Sequence, residues 1–355
     1  WKSNLASSAV SVPQNRMLKS ILKNNTLIAN DYIEFNTASN GHYTIGTIGG
    51  NPNSSTDDNK KMLFGHPGGG TSKTTIVVGE SINEFTSSNV TYDADGSKSV
   101  SKASYDGVDV TQELSIIENS ATGRDDVVKI KYIVKNDTEY AKQVGIRIMM
   151  DTMLGGNDAA PFRVNGSDVT TETVYSGSNI PQIWQAFDSA TNPGVVAQGT
   201  FYKSGDRKPD KVQFTNWGNV TSTLWDYVTQ PGRSNGDSAV SITWNKDTFT
   251  SGETREFVTY YGLSELEQNL IPPLALSVYA DNKVSISNFN YDDINANVYL
   301  DNIGDGDATD VSIKITADNL EPKYGTSLTH NYSVIKPSKS LSLIHISEPT
   351  RHSLI

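Results

Sequence analysis

Cysteine is missing from all 355 residues, which excludes disulfides, thiolate metal sites and cysteine nucleophiles. Charge is also scarce, at 19% Asp, Glu, Lys and Arg, and basic residues are the scarcer kind: 29 Lys and Arg stand against 40 Asp and Glu, a net charge of -11. A chain this acidic has no broad basic face to displace the counterions of a polyanion, so nucleic acid is excluded as a partner. No run of 18 apolar residues occurs, so no segment here reads as a membrane-spanning helix. Only five histidines are present; His42 and His66 lack metal-ligand spacing and read as satisfied or exposed side chains rather than a zinc site.

What is present is a period of two. From Asp31 onward, β-branched and aromatic residues come in short runs broken by Gly, Asn, Asp and Ser. Val127, Ile130, Tyr132 and Val134, and again Val144, Ile146, Ile148 and Met150, read as half-buried antiparallel strands that pair as a central hairpin. The fold class expected is all-β: a large antiparallel β-sandwich over 24–263 followed by a truncated Ig-like β-sandwich over 274–340. Residues 1–23 form an N-terminal segment with a short helix on Met17, Leu18, Ile21 and Leu22. Ser264-Glu-Leu-Glu267 reads as a capping box opening a helix that Pro272 and Pro273 end, which makes 264–273 the linker. Leu5–Val12 is small and polar, like the region around a secretory cleavage site, without the charged and apolar parts of a leader. A weak internal echo links Asn136, Ala141, Val144, Ile146 and Ile148 with Asn302, Ala308, Val311, Ile313 and Ile315.

Three places invite chemistry. In Asp151-Thr-Met-Leu-Gly-Gly-Asn-Asp158 a strand end throws carboxylates and an amide into a Gly-paired turn, and Asp151, Asn157 and Asp158 supply the oxygen ligands that calcium prefers. The same residues also suit plain Asx-turns. Asp151 and Asp158 could instead serve as the paired carboxylates of a carbohydrate-active enzyme, although sequence spacing does not set their separation in space. Aromatic residues concentrate between 175 and 244, and Trp184, Trp217 and Trp225 are the candidate rings for gripping a sugar. In Ile183-Trp184-Gln-Ala-Phe187 the two aromatics are three apart, so at least one lies off the core face. Gly65–Lys73 looks like a phosphate loop, yet Thr74–Val78 is a strand and the Gly-Lys-Ser/Thr order is absent.

Two resemblances add to this. Asp31-Tyr-Ile-Glu-Phe35, Thr44-Ile-Gly-Thr-Ile-Gly-Gly-Asn-Pro52, Leu63-Phe-Gly-His-Pro67, the 151–158 turn and Ile180-Pro-Gln-Ile-Trp184 together resemble an uncharacterised module of large secreted proteins of clostridia and related microbes, often followed by Ig-like repeats. Asn302-Ile-Gly304-Asp-Gly306-Asp-Ala308-Thr-Asp-Val311 resembles the turn of cell-adhesion-related Ig-like modules, which act as spacers and adhesion units. The resemblance covers nearly all of 30–340 and implies an extracellular or cell-wall location rather than a reaction. The expected role is a non-catalytic surface segment for adhesion or glycan binding, with an extracellular glycan or surface protein as partner; a calcium-stiffened stalk is a further alternative. Leu341-Ser-Leu-Ile-His-Ile-Ser-Glu-Pro-Thr-Arg351 resembles the translated adapter DNA of short-read sequencing libraries, so 341–355 is set aside as adapter-derived.

Overall fold

A computed structural model of the chain describes residues 27–349, apart from 94–95, 120–121, 166, 268–273, 281–285, 288–289, 292–293, 303–306, 317–319, 324 and 337–338. The helix expected before residue 24 lies outside the described residues. The alternating stretches do form strands, and the chain is an all-β protein built on an antiparallel sandwich.

One sheet has six strands, in the order Thr173–Ser176, Lys211–Asn216, Ser238–Phe249, Lys142–Asp151, Lys73–Val78 and Ser81–Glu84. The facing sheet has nine, running Ser167–Val169, Phe162–Val164, Ile183–Phe187, Val196–Thr200, Thr254–Leu263, Val127–Asn136, Val108–Ile117, Lys98–Tyr105 and Val90–Tyr92. Ile146, Ile148 and Met150 from the first and Val128, Ile130 and Tyr132 from the second are sealed into one core. Polar pairs cross it too, such as Thr74 Oγ1 with Tyr132 Oη at 2.6 Å. A three-stranded sheet, Leu27–Ala29, Ile33–Thr37 and Tyr43–Thr47, adds Ile33, Phe35 and Ile45 to the same core. Lys61–Phe64 makes only isolated bridges, Gly46 to Lys61 and Leu63 to Thr152.

The central hairpin does not form. Val127–Asn136 pairs with Val108–Ile117 and Thr254–Leu263, whereas Lys142–Asp151 pairs with Lys73–Val78 and Ser238–Phe249. The chain arches from one sheet into the other at Asn136, whose fully buried amide donates to the carbonyls of Tyr140, Phe249 and Thr250 at 2.7–3.1 Å. Those bonds satisfy main-chain groups that leave the ladder at the corner. The internal echo is the same device. Asn302 ends Ile294–Asn302, is fully buried, and donates to Ile335 O at 2.8 Å; the next described strand, Ala308–Lys314, pairs in a different sheet.

The outer face of the six-stranded sheet is also covered, which the period of two did not foretell. A strap over 217–237 opens with a short helix, Trp217–Val220, capped by the Asn216 side chain. Trp225 lies on Gly145, where a Cβ would meet the ring at 2.7 Å. Met149, Val220, Tyr227 and Ala239 close a small apolar cluster with Trp217 packed against it. The Glu172 carboxylate ties the strap down by accepting from Tyr227 Oη, Thr215 Oγ1, Asn219 Nδ2 and the Gln230 N–H, all at 2.7–2.9 Å. Burial pushes its pKa up, and these four donors outweigh that and hold it below the usual carboxylate range.

Beyond the sandwich, Glu265–Glu267, Leu274–Ala280, Ile294–Asn302, Lys339–Pro349 and Leu320–Pro322 form a five-stranded sheet, and Ala308–Lys314 pairs with Thr329–Ile335. The capping-box helix is therefore replaced by a strand: Glu265–Glu267 pairs with Leu274–Leu276, since ladder bonds to an available neighbour outweigh a local cap signal. Residues 339–347 pair with 294–302 and 347–349 with 320–322, so part of the segment set aside on sequence grounds joins the sheet, with Leu341, Leu343, Ile344 and Ile346 supplying apolar residues of the kind strands favour.

Candidate functional site

The end of Lys142–Asp151 lies beside the start of Ser238–Phe249, with Asp151 opposite Ala239. Asp237 immediately precedes that second strand in a left-handed backbone conformation, φ 59°. The intervening turn is pinned: Thr152 N donates to Ser238 O at 2.9 Å, Ser238 N to Asp158 O at 2.8 Å, and Leu154 and Asn157 exchange backbone bonds around Gly155. These constraints bring Asp151, Asp158 and Asp237 together, with one carboxylate oxygen from each within 4.8 Å of the others.

Asp151 is only 2% exposed. One oxygen accepts from the Thr71 hydroxyl, while Oδ1 is buried without a hydrogen-bond partner among the described residues, as is Oδ1 of Asp158. Burial, then the neighbouring Asp237 and Asp158 charges, push the Asp151 carboxyl up to about 7, against the lowering effect of Thr71. Burial likewise raises Asp158, where Lys61 acts in the opposite direction, and Asp237, where Asp158 adds to it.

Two of the predicted trio, Asp151 and Asp158, are thus brought together with a different third residue. Asn157 turns away: its Nδ2 donates to Asp188 O at 2.9 Å and its Oδ1 accepts from Ala159 N at 3.0 Å, so it shapes the turn. Asp237 takes its place, a residue that sequence reasoning passed over. The available signal was Gly236-Asp-Ser-Ala239, an acidic residue at the mouth of a strong strand.

The aromatic platform is corrected more severely. Trp184, 1% exposed, stacks on Tyr261 at 5.3 Å and contacts Phe162, Phe201 and Phe214 inside the core. Trp225 is buried on Gly145. Both rings are consumed by packing because large aromatics gain most from burial. Trp217 is half-buried, and its backbone N–H donates to Asp237 O at 2.7 Å, beside the carboxylates. The aromatic off the core face in 183–187 is Phe187, which meets Val196 of the adjacent strand and Ala275 of the five-stranded sheet. His66 is paired with Thr44 and Glu34, and His42 with Glu84.

Two further buried carboxyls make stability depend on pH. Burial pushes Asp57 and Asp126 up to about 6, against hydrogen bonds from Asn51 to the first and from Thr122, Asn119 and Arg124 to the second. Between about pH 4 and 6 the folded chain keeps protons that the unfolded chain has released, so stability falls as pH rises through that window. Each group contributes roughly 3 kcal/mol to the change. The melting temperature is expected to be higher at pH 5 than at pH 8, with a shallower slope in Asp57→Asn. A melting temperature that climbs from pH 5 to 8 would contradict this.

No family model matches the chain, and no curated protein matches it. Among solved structures it is similar to a polysaccharide lyase at 11% identity and TM-score 0.39, over 90% of this chain and 43% of that one. It is also similar to a galactose mutarotase-like protein from Lactobacillus casei, at 10% identity and TM-score 0.37, covering 67% of this chain and 99% of that one. A galactose mutarotase related enzyme from Lactobacillus acidophilus shows 8% identity and TM-score 0.34, covering 68% and 97%. The chain spans less than half the length of the lyase. At this distance none of those proteins' chemistry transfers to this chain.

Proposed function

We propose that the chain is a non-catalytic segment of an extracellular or cell-wall-associated protein, serving adhesion through a glycan or surface-protein partner. The observation that carries this reading is the seam between the sandwich and the β-domain that follows it. Gln185 Nε2 donates to Ser277 Oγ at 2.7 Å and to Ser264 Oγ at 3.3 Å, both buried, and Asn297 Nδ2 reaches Gln182 Oε1 at 3.3 Å. Beside them Phe187, Val196 and Ala275 form an apolar contact. A seam with buried, satisfied polar groups holds two domains in one orientation, as a spacer that transmits tension requires.

Burial argues against the catalytic alternative, since a carboxyl as enclosed as Asp151 cannot reach a sugar ring without the surrounding turn opening. Trp217, the part-exposed ring of the three candidates, is the contact we assign to a glycan. The test is a glycan array probed with the intact chain. Binding should persist in Asp151→Asn and Asp158→Asn and weaken about tenfold in Trp217→Ala, the loss of one stacking contact of roughly 1–1.5 kcal/mol. Polysaccharide hydrolysis abolished by either Asp substitution would establish the enzyme reading instead.

A further inference from the structure

We infer that Asp151, Asp158 and Asp237 hold a hard divalent cation of the calcium type, tying the end of Lys142–Asp151 to the turn that enters Ser238–Phe249. This goes beyond the adhesion reading and stands or falls separately from it.

Three carboxylates converging with oxygens within 4.8 Å of one another are electrostatically unfavourable when ionised and uncompensated. Clustering alone is common at acidic surfaces, and what separates this one is Asp151. It is nine-tenths buried and more, its second oxygen is satisfied by Thr71, and Oδ1 has no hydrogen-bond partner among the described residues. A buried carboxylate oxygen left unpaired is among the more costly groups a fold can carry, and a cation answers it directly. Asp158 presents a second unpartnered oxygen.

The donor set is all oxygen, which selects hard cations over zinc or copper. The number of protein carboxylates points to calcium, which takes about six to eight oxygen ligands in flexible geometry, whereas magnesium keeps several waters and is held by only one or two carboxylates. The frame is rigid, because Thr152, Ser238 and the Leu154–Asn157 turn fix the three backbones through main-chain bonds. Lys61, the cation whose charge reaches Asp158, does not offset three carboxylates alone.

The experiment uses the intact chain stripped with chelator and then titrated with calcium chloride or magnesium chloride. Calorimetry should show calcium binding at one site per chain, and calcium at a hundredfold excess over its Kd should raise the melting temperature by about 5–10 °C. Asp237→Asn should weaken binding at least tenfold and remove most of that rise. It should still fold, since Asp237 is half-buried and asparagine tolerates the left-handed conformation at φ 59°. Asp158→Asn should behave alike. Melting of the wild-type chain unmoved by calcium would overturn the inference, as would a full calcium shift persisting in both variants. A magnesium shift as large as that of calcium would overturn the calcium-type assignment.

Discussion

Trp184→Ala should destabilise the sandwich by about 3–5 kcal/mol, the range for removing a large aromatic from a packed core. The ring sits on Ile183–Phe187 of the nine-stranded sheet and reaches Phe214 of the six-stranded sheet at 5.7 Å, so it bridges the two layers. It lies flat against Tyr261, with an interplanar angle of 17°, and over Gly199, where a Cβ would fall 2.0 Å from the indole. Gly199→Ala should therefore be destabilising as well, since the ring it would strike is wedged among Phe162, Phe201 and Phe214. Trp184→Phe should recover part of the loss. Urea unfolding measures all three. If Trp184→Ala left the midpoint unchanged while abolishing glycan binding, the ring would be a ligand contact after all.

Arg147→Met should release the strap. Arg147 is 2% exposed, and its guanidinium donates to backbone carbonyls of the strap: Trp225 O at 3.0 Å, Thr223 O at 2.9 Å and Val220 O at 3.4 Å. Burial draws its pKa down to about 10, with Asp226 acting in the opposite direction, so it stays charged at neutral pH. Methionine keeps much of the stem's packing but leaves three carbonyls without a donor, at about 1–3 kcal/mol for each that stays buried. The strap can limit that loss by detaching. The expected result is thus rapid proteolytic cleavage within 221–236, with a loss of about 3–5 kcal/mol in global stability if detachment is incomplete. Resistance to protease equal to that of the wild-type chain, with an unchanged melting curve, would show that the guanidinium is dispensable. Because Trp217 and Asp237 mark the two ends of the strap, its release should also weaken calcium binding.

Both predictions turn on residues whose surroundings were only half legible. Alternation in Ile183-Trp184-Gln-Ala-Phe187 divides the strand into two faces, and the structure follows it: Trp184 and Ala186 enter the main core, while Gln185 and Phe187 face the five-stranded sheet. Nothing local says that the second face would also be buried. The same holds for Arg147 and Met149, which alternate with core residues and would read as solvent-facing, yet are covered by a segment more than 65 residues further on. In the candidate site, Asp151 and Asp158 were legible because a short turn holds them together. Asp237 lies 237 − 158 = 79 residues beyond Asp158 and joins them through the ladder between Lys142–Asp151 and Ser238–Phe249 and the Ser238 N–H bond to Asp158 O.

By itself the sequence determined the all-β class and, in the strongly alternating stretches, which strand face is apolar, since side-chain direction in a strand depends only on the residue's own position. Tertiary structure decided which strands are neighbours, and so turned an expected hairpin into an arch between sheets and brought the distant Asp237 to Asp151 and Asp158 at one sheet end. The physical reason is that backbone hydrogen-bonding groups are the same at every residue. Pairing is therefore selected by the packing of the whole core, and local pattern leaves that choice open.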